Sequence, residues 1–192
     1  MEKEIIIKNL LNRATKSLKQ NLKTFIVLSI VLFTFLFGFI FYLNNQEKKN
    51  IAIAEEYTSA SILIKQKKIK ESQLLLEAII KKDHQFYSPL ALYLLIDSNI
   101  ERDSSKIIGF FDKILKNNSI NEENLNLIKI KKSIYLIHLD NERLIIETLN
   151  PVINSNSVWK NMAINLISQY FLSKNQTVKA EEYIQLLNKE IN

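Results

Sequence analysis

Two histidines, His84 and His138, are the only side chains in the sequence whose ordinary pKa lies near neutrality, and there is no cysteine. No second histidine stands within a helical turn of either. Each is read as an ordinary loop or surface residue, and no metal or cofactor is expected. The acidic pairs Glu55-Glu56, Glu122-Glu123 and Glu181-Glu182 fall on polar helix faces or at helix starts, where carboxylates serve as solvated or first-turn charges. Two glycines in 192 residues cannot build a phosphate-cradling loop or a dinucleotide fingerprint. The sequence thus predicts no catalytic residue and no small-molecule substrate. The chemistry left to it is non-covalent recognition. Tyr57, Tyr87, Tyr93, Tyr135, Trp159 and Tyr170 are the candidate partner-binding residues, since Tyr and Trp supply large contact areas at interaction hot spots. The alternative for any one of them is a place in the core.

These aromatics need elements to carry them. Two glycines and two prolines are too few turn-formers for a strand-rich sandwich or barrel, so long helices with short polar connections are expected. The net charge of +6 is unevenly placed. Residues 1–23 carry six basic and two acidic side chains, whereas the remainder carries twenty basic and eighteen acidic. A near-neutral body gives no nucleic-acid-binding stripe.

Residues 25–43, FIVLSIVLFTFLFGFIFYL, contain no charge, and fifteen of the nineteen are Phe, Ile, Val or Leu. As a helix they span about 28 Å, close to the hydrocarbon thickness of a bilayer. The reading is a basic cytoplasmic tail over 1–24, a transmembrane signal-anchor helix over 25–43 and an extracytoplasmic domain over 44–192. The excess of Lys and Arg before the span places the N-terminus in the cytoplasm. The only A-x-A match, Ala52-Ile53-Ala54, lies well beyond the apolar run, which favours an uncleaved anchor. Within the tail, Ile6, Leu10, Leu11, Ala14 and Leu18 share one helical face. This fits either an amphipathic helix on an anionic leaflet or a flexible basic tail that only sets topology.

Beyond the span, apolar-periodic stretches alternate with short polar breaks. They predict eight helices in four pairs: 48–65 with 69–82, 88–101 with 104–117, 122–139 with 141–153, and 158–173 with 177–190. The second helices superpose with Ser72, Ile108, Ile146 and Ala180 at their first position, at intervals of 36, 38 and 34 residues. The fourth position is then Leu75, Phe111, Leu149 and Tyr183. Each hairpin would leave an apolar face that only a stacked neighbour can cover, giving one continuous core. Ser88-Pro89 reads as a helix start, Asp103 or Ser104, Asn121 and Asn141 as N-caps, and Pro151 as a point where its helix ends early or bends.

The period and the order Trp159, Ala163, Leu166, Tyr170, Lys174, Ala180 and Tyr183 in the last unit resemble the tetratricopeptide repeat. The glycine of that repeat between its two helices is missing throughout. The whole layout is similar to the ancillary subunits of the SecYEG translocon: a short tail, one anchor, the Ala-rich start at Ile51–Tyr57, the Ser88-Pro-Leu-Ala-Leu helix and a Trp159-containing last repeat. The resemblance implies a bacterial inner-membrane protein with a periplasmic tetratricopeptide-like domain. Its implied partners are translocon subunits, periplasmic chaperones and client polypeptides, and it brings no catalytic residue. The same architecture would equally suit a scaffold for cell division, pilus or cytochrome-maturation assemblies.

Overall fold

The computed structural model describes residues 5–8, 12 and 22–188. The predicted face of the tail therefore lies mostly outside the described residues, as do 189 and 190 of the last predicted helix. Among the described residues there is no strand, and the chain divides into two compact units, Met1–Ala52 and Ile53–Asn192.

The first unit consists mainly of the leading part of α1, Leu22–Lys65. No break separates the apolar stretch from the helix predicted to begin near residue 48. Asn44-Asn45-Gln46 contains neither Gly nor Pro and does not interrupt the backbone ladder. The apolar side chains are exposed on every side, with Phe35 at 71% and Phe41 at 75%. This is one helix long and apolar enough to cross a membrane.

The second unit holds the end of α1 and seven further helices: α2 Ile69–Lys81, α3 Tyr87–Asp97, α4 Ser104–Leu115, α5 Glu122–His138, α6 Glu142–Ile153, α7 Lys160–Ser173 and α8 Thr177–Asn188. From α2 onward each helix packs on the next in sequence order, and α5 also touches α7. The Ser72 hydroxyl ties α2 to α1 by donating to the Ala60 carbonyl at 2.9 Å.

The turn within each hairpin repeats one device. Lys67, Asn99, Asp140 and Asn175 take left-handed backbone angles, with φ of 60°, 49°, 54° and 59°. In each case two N–H groups reach back across the helix end. The N–H groups of Lys67 and Lys68 donate to the Ile64 and Leu63 carbonyls, and those of Asn175 and Gln176 to Leu172 and Phe171. This is the double closure that normally ends on glycine. Here it is made four times without one, by a lysine, an aspartate and two asparagines.

The predicted caps at Asp103, Asn121 and Asn141 form, each carboxylate or amide oxygen accepting from the first turn. The start of α3 differs. The helix begins at Tyr87, before Ser88-Pro89, and His84 caps it: Nδ1 accepts from the Phe86 and Tyr87 N–H groups, both at 3.1 Å. Helix α6 runs to Ile153, past Pro151, so it does not end early there. Pro151 sits in the last turn, so the bond it cannot donate to the Glu147 carbonyl is lost near the helix's end rather than in its middle.

The core departs from the prediction in two ways. The buried positions of the second helices are Ser72, Ile107, Ile145 and Ala180, so the hydrophobic superposition is one residue out in the middle two hairpins. Ile107-Ile108 and Ile145-Ile146 are doublets, and apolarity alone does not say which member points inward. The buried side chains also form two clusters rather than one. The first runs from Ile53 to Ile128 and the second from Ile130 to Ala180, and they meet along α5. That helix is unusually polar inside. Asn126, Lys132 and Ser133 are buried on it, with Lys132 paired to Asp112 of α4 at 2.6 Å.

Ion pairs link successive helices at the surface. Lys82 meets Glu56, Lys106 bridges Glu77 and Glu101, and Lys113 meets Asp83. Lys174 and Lys179 meet Asp140 and Glu142. Glu101 is held at about 2, first by its hydrogen bond to the Lys106 ammonium and then by the Asp103 N–H.

Candidate functional site: a groove along the first helices

The left-handed turn residues provide a common origin for the hairpins. Counting back nine, six, five and two residues from Asn99 gives Leu90, Tyr93, Leu94 and Asp97. The same count from Asp140 gives Lys131, Ile134, Tyr135 and His138. All eight line one open groove of about 430 Å³, together with Tyr57 of α1, Ile96 of α3 and Phe111 of α4. On a helix these offsets fall on one face. Corresponding faces of α3 and α5 therefore form the walls, and Tyr57 brings in the first helix of the preceding hairpin.

The six aromatics separate clearly. Tyr57, Tyr93 and Tyr135 line the groove. Tyr87 stands beside it, its ring 5.9 Å from that of Tyr57, and packs against the first core cluster. Trp159 packs against the second cluster at the start of α7. Tyr170 is buried at the position equivalent to Tyr135, and its hydroxyl donates to Asp140 at 3.0 Å. Burial and the Asp140 carboxylate push that phenol up to about 12. Trp159 and Tyr170 thus serve the core.

Aromatic identity alone missed six of the eight residues at these offsets: Leu90, Leu94, Ile134, Asp97, Lys131 and His138. His138, read as an ordinary surface residue, is exposed at the groove's edge, level with Asp97. The signal that finds these residues is their shared offset from the turns, which is available only once the turns are known.

The groove is half apolar and half polar. Lys131 Nζ lies 5.9 Å from the centre of the Tyr93 ring, within cation–π range. The Tyr135 hydroxyl donates to Ser104 Oγ at 3.2 Å. Burial drives the Tyr93 phenol up to about 12, and its hydroxyl is shut from solvent without a hydrogen-bond partner. Burial also raises Tyr57, aided by the negative charge of Asp97. Among the described residues no group of three or more His, Asp or Glu is placed to hold a metal ion. No family model, curated protein or solved structure matches this chain.

Proposed function

We propose that the protein is a membrane-tethered adaptor without catalytic activity, whose tetratricopeptide-like stack holds polypeptide segments. In this reading it is an ancillary subunit of the SecYEG translocon in a bacterial inner membrane. Its N-terminus is cytoplasmic, its stack lies in the periplasm, and it passes emerging chains to periplasmic chaperones. Its partners are proteins and the bilayer, with no nucleic acid and no small-molecule substrate.

One observation carries the reading. Equivalent faces of the first helices of two neighbouring hairpins line a groove with aromatic and aliphatic side chains, and the exposed Asp97, Lys131 and His138 stand beside them. An apolar centre with a polar rim is the anatomy of a protein-binding surface. The exposed apolar length of α1 supports the tether, and the basic residues before it support the orientation.

The test is a photo-crosslinking residue placed at Ile134 in the full chain in its native membrane, with Glu147, exposed on α6, as the control position. Translocon subunits or chaperones captured from Ile134 and not from Glu147 support the proposal. Capture of division, pilus or cytochrome-maturation proteins instead, or equal capture from both positions, removes it.

A further inference from the structure

We infer that the turn between α1 and α2 is a docking point for an acidic segment of another polypeptide. None of its residues lines the groove, and it stands independently of the adaptor reading.

Residues 65–71, Lys-Gln-Lys-Lys-Ile-Lys-Glu, are all exposed. Four lysines and one glutamate give them a net charge of +3, more than the +2 of the whole chain beyond residue 23. Three of these lysines stand where the fold disfavours them. Lys67 holds the left-handed position that Asn99, Asp140 and Asn175 occupy in the other hairpins. Lys68 is the N-cap of α2 and makes no side-chain cap, whereas Asp103 and Asn141 cap α4 and α6. Lys70 lies in the first turn of α2, at the positive end of the helix dipole. Only Lys65, in the last turn of α1, suits its helix. Three separate choices lower stability, and what they share is positive charge on one turn. Local rules broken together at one place, with no compensating contact, mark a functional surface.

The charge is also left open. Lys68 meets only Glu71, at 3.9 Å, with both side chains more than half exposed. Among the described residues no carboxylate lies within ion-pair distance of Lys65, Lys67 or Lys70. By contrast Lys82, Lys106, Lys113, Lys132, Lys174 and Lys179 each meet a carboxylate of another element.

What flanks the charge selects the occupant. Ile62 and Ile69, 47% and 41% exposed, lie on either side of the turn in the chain. A polypeptide can set carboxylates on the lysines and apolar side chains on these isoleucines. A nucleic acid finds no aromatic to stack a base and no arginine to fork a phosphate between residues 58 and 83. A bilayer finds no apolar side chain to insert at the tip, Gln66-Lys67-Lys68. Exposed lysines steer a partner from a distance but hold it weakly, so the contact is salt-sensitive.

The test uses the full chain in phosphatidylcholine nanodiscs and two peptides carrying an uncharged dye. One repeats Glu-Leu-Asp four times, and the other repeats Gln-Leu-Asn. Fluorescence anisotropy should show the acidic peptide bound at least tenfold more tightly. Raising salt from about 50 to about 300 mM should remove most of the difference. Lys67→Asn with Lys68→Asp and Lys70→Gln should weaken the acidic peptide tenfold or more while raising Tm, so that loss of fold cannot explain loss of binding. Lys81→Gln with Lys116→Gln, at exposed lysines elsewhere on the stack, should leave binding within twofold. Equal binding of the two peptides, failure of both, or equal weakening by the two sets of substitutions overturns the inference. A fall in Tm of the triple variant also overturns it, because the lysines would then serve the fold. So does an association with phosphatidylglycerol vesicles or a single-stranded oligonucleotide that the triple variant loses and that exceeds binding of the acidic peptide. None of these outcomes bears on crosslinking at Ile134, which tests the adaptor reading separately.

Discussion

Replacing Lys67 with glycine should stabilise the helical domain. Lys67 is exposed and holds φ at 60°, where its Cβ crowds the following carbonyl. That conformation costs a residue with a side chain about 1–2 kcal/mol. Glycine removes the cost but adds about 0.5–1 kcal/mol of backbone freedom to the unfolded chain. The net gain is about 0.5–1 kcal/mol, or about 2–4 °C in Tm for a domain of this size. The other three turns set the scale. Asn99→Gly and Asn175→Gly should gain only a few tenths of a kcal/mol, because asparagine already tolerates this conformation. Asp140→Gly should lose stability, since it removes the carboxylate that Tyr170 and Lys174 share. The assay is thermal unfolding of the full-length protein in detergent, followed by far-ultraviolet circular dichroism. An unchanged or lower Tm for Lys67→Gly, or a gain for Asp140→Gly exceeding that for Lys67→Gly, would refute the reasoning.

The one-residue register of the second helices can be read from paired truncations. Ile107→Ala empties a fully packed site and should cost about 2–5 kcal/mol, whereas Ile108→Ala, half-buried, should cost clearly less, as denaturant unfolding would show. Tyr93→Phe deletes a buried hydroxyl with no partner and should raise Tm, since such a group leaves its desolvation unrecovered; a fall would mean that the hydroxyl is satisfied. Stability should decline with acid in two steps. Burial lowers the His84 pKa below 6.5, so below that value the unfolded chain binds more protons and the cap on α3 weakens; His84→Asn should flatten this step. Glu101, lowered to about 2 from 4.5, stabilises at higher pH and loses that contribution as pH falls from about 4.5 toward 2; Glu101→Gln should shrink the second step in a Tm-against-pH profile, and Asp140 and Glu142, also lowered by their lysine partners, should account for what remains.

Helix existence and order were legible because the polar breaks are sharp and both periodicity and caps agree. Asn121 and Asn141, picked out as caps, accept from the first-turn N–H groups as expected. The boundary of α3 was not legible. The sequence carries apolar residues on to Ile100, but Asn99 turns the chain and Ile100 N–H closes back on Leu95. His84 was passed over because its capping role depends on a loop that brings Nδ1 over two backbone donors. The groove was half legible: Tyr57, Tyr93 and Tyr135 were singled out by type, and Leu94 and Ile134 became recognisable only through their position. Tyr170 shows the limit of reasoning by type, since it matches Tyr135 in offset yet is closed over by the preceding turn.

The division of the interior along α5 bears on how the molecule is made. A chain emerging N-terminus first has every buried residue of its first cluster in hand once Ile128 is out. At that point α6, α7 and α8 are still to come. The leading hairpins can therefore condense vectorially, while α5 presents Ile130 and Leu136 as a template on which the trailing hairpins assemble. Maturation would then proceed in two installments, with the later half the more exposed to proteases during synthesis.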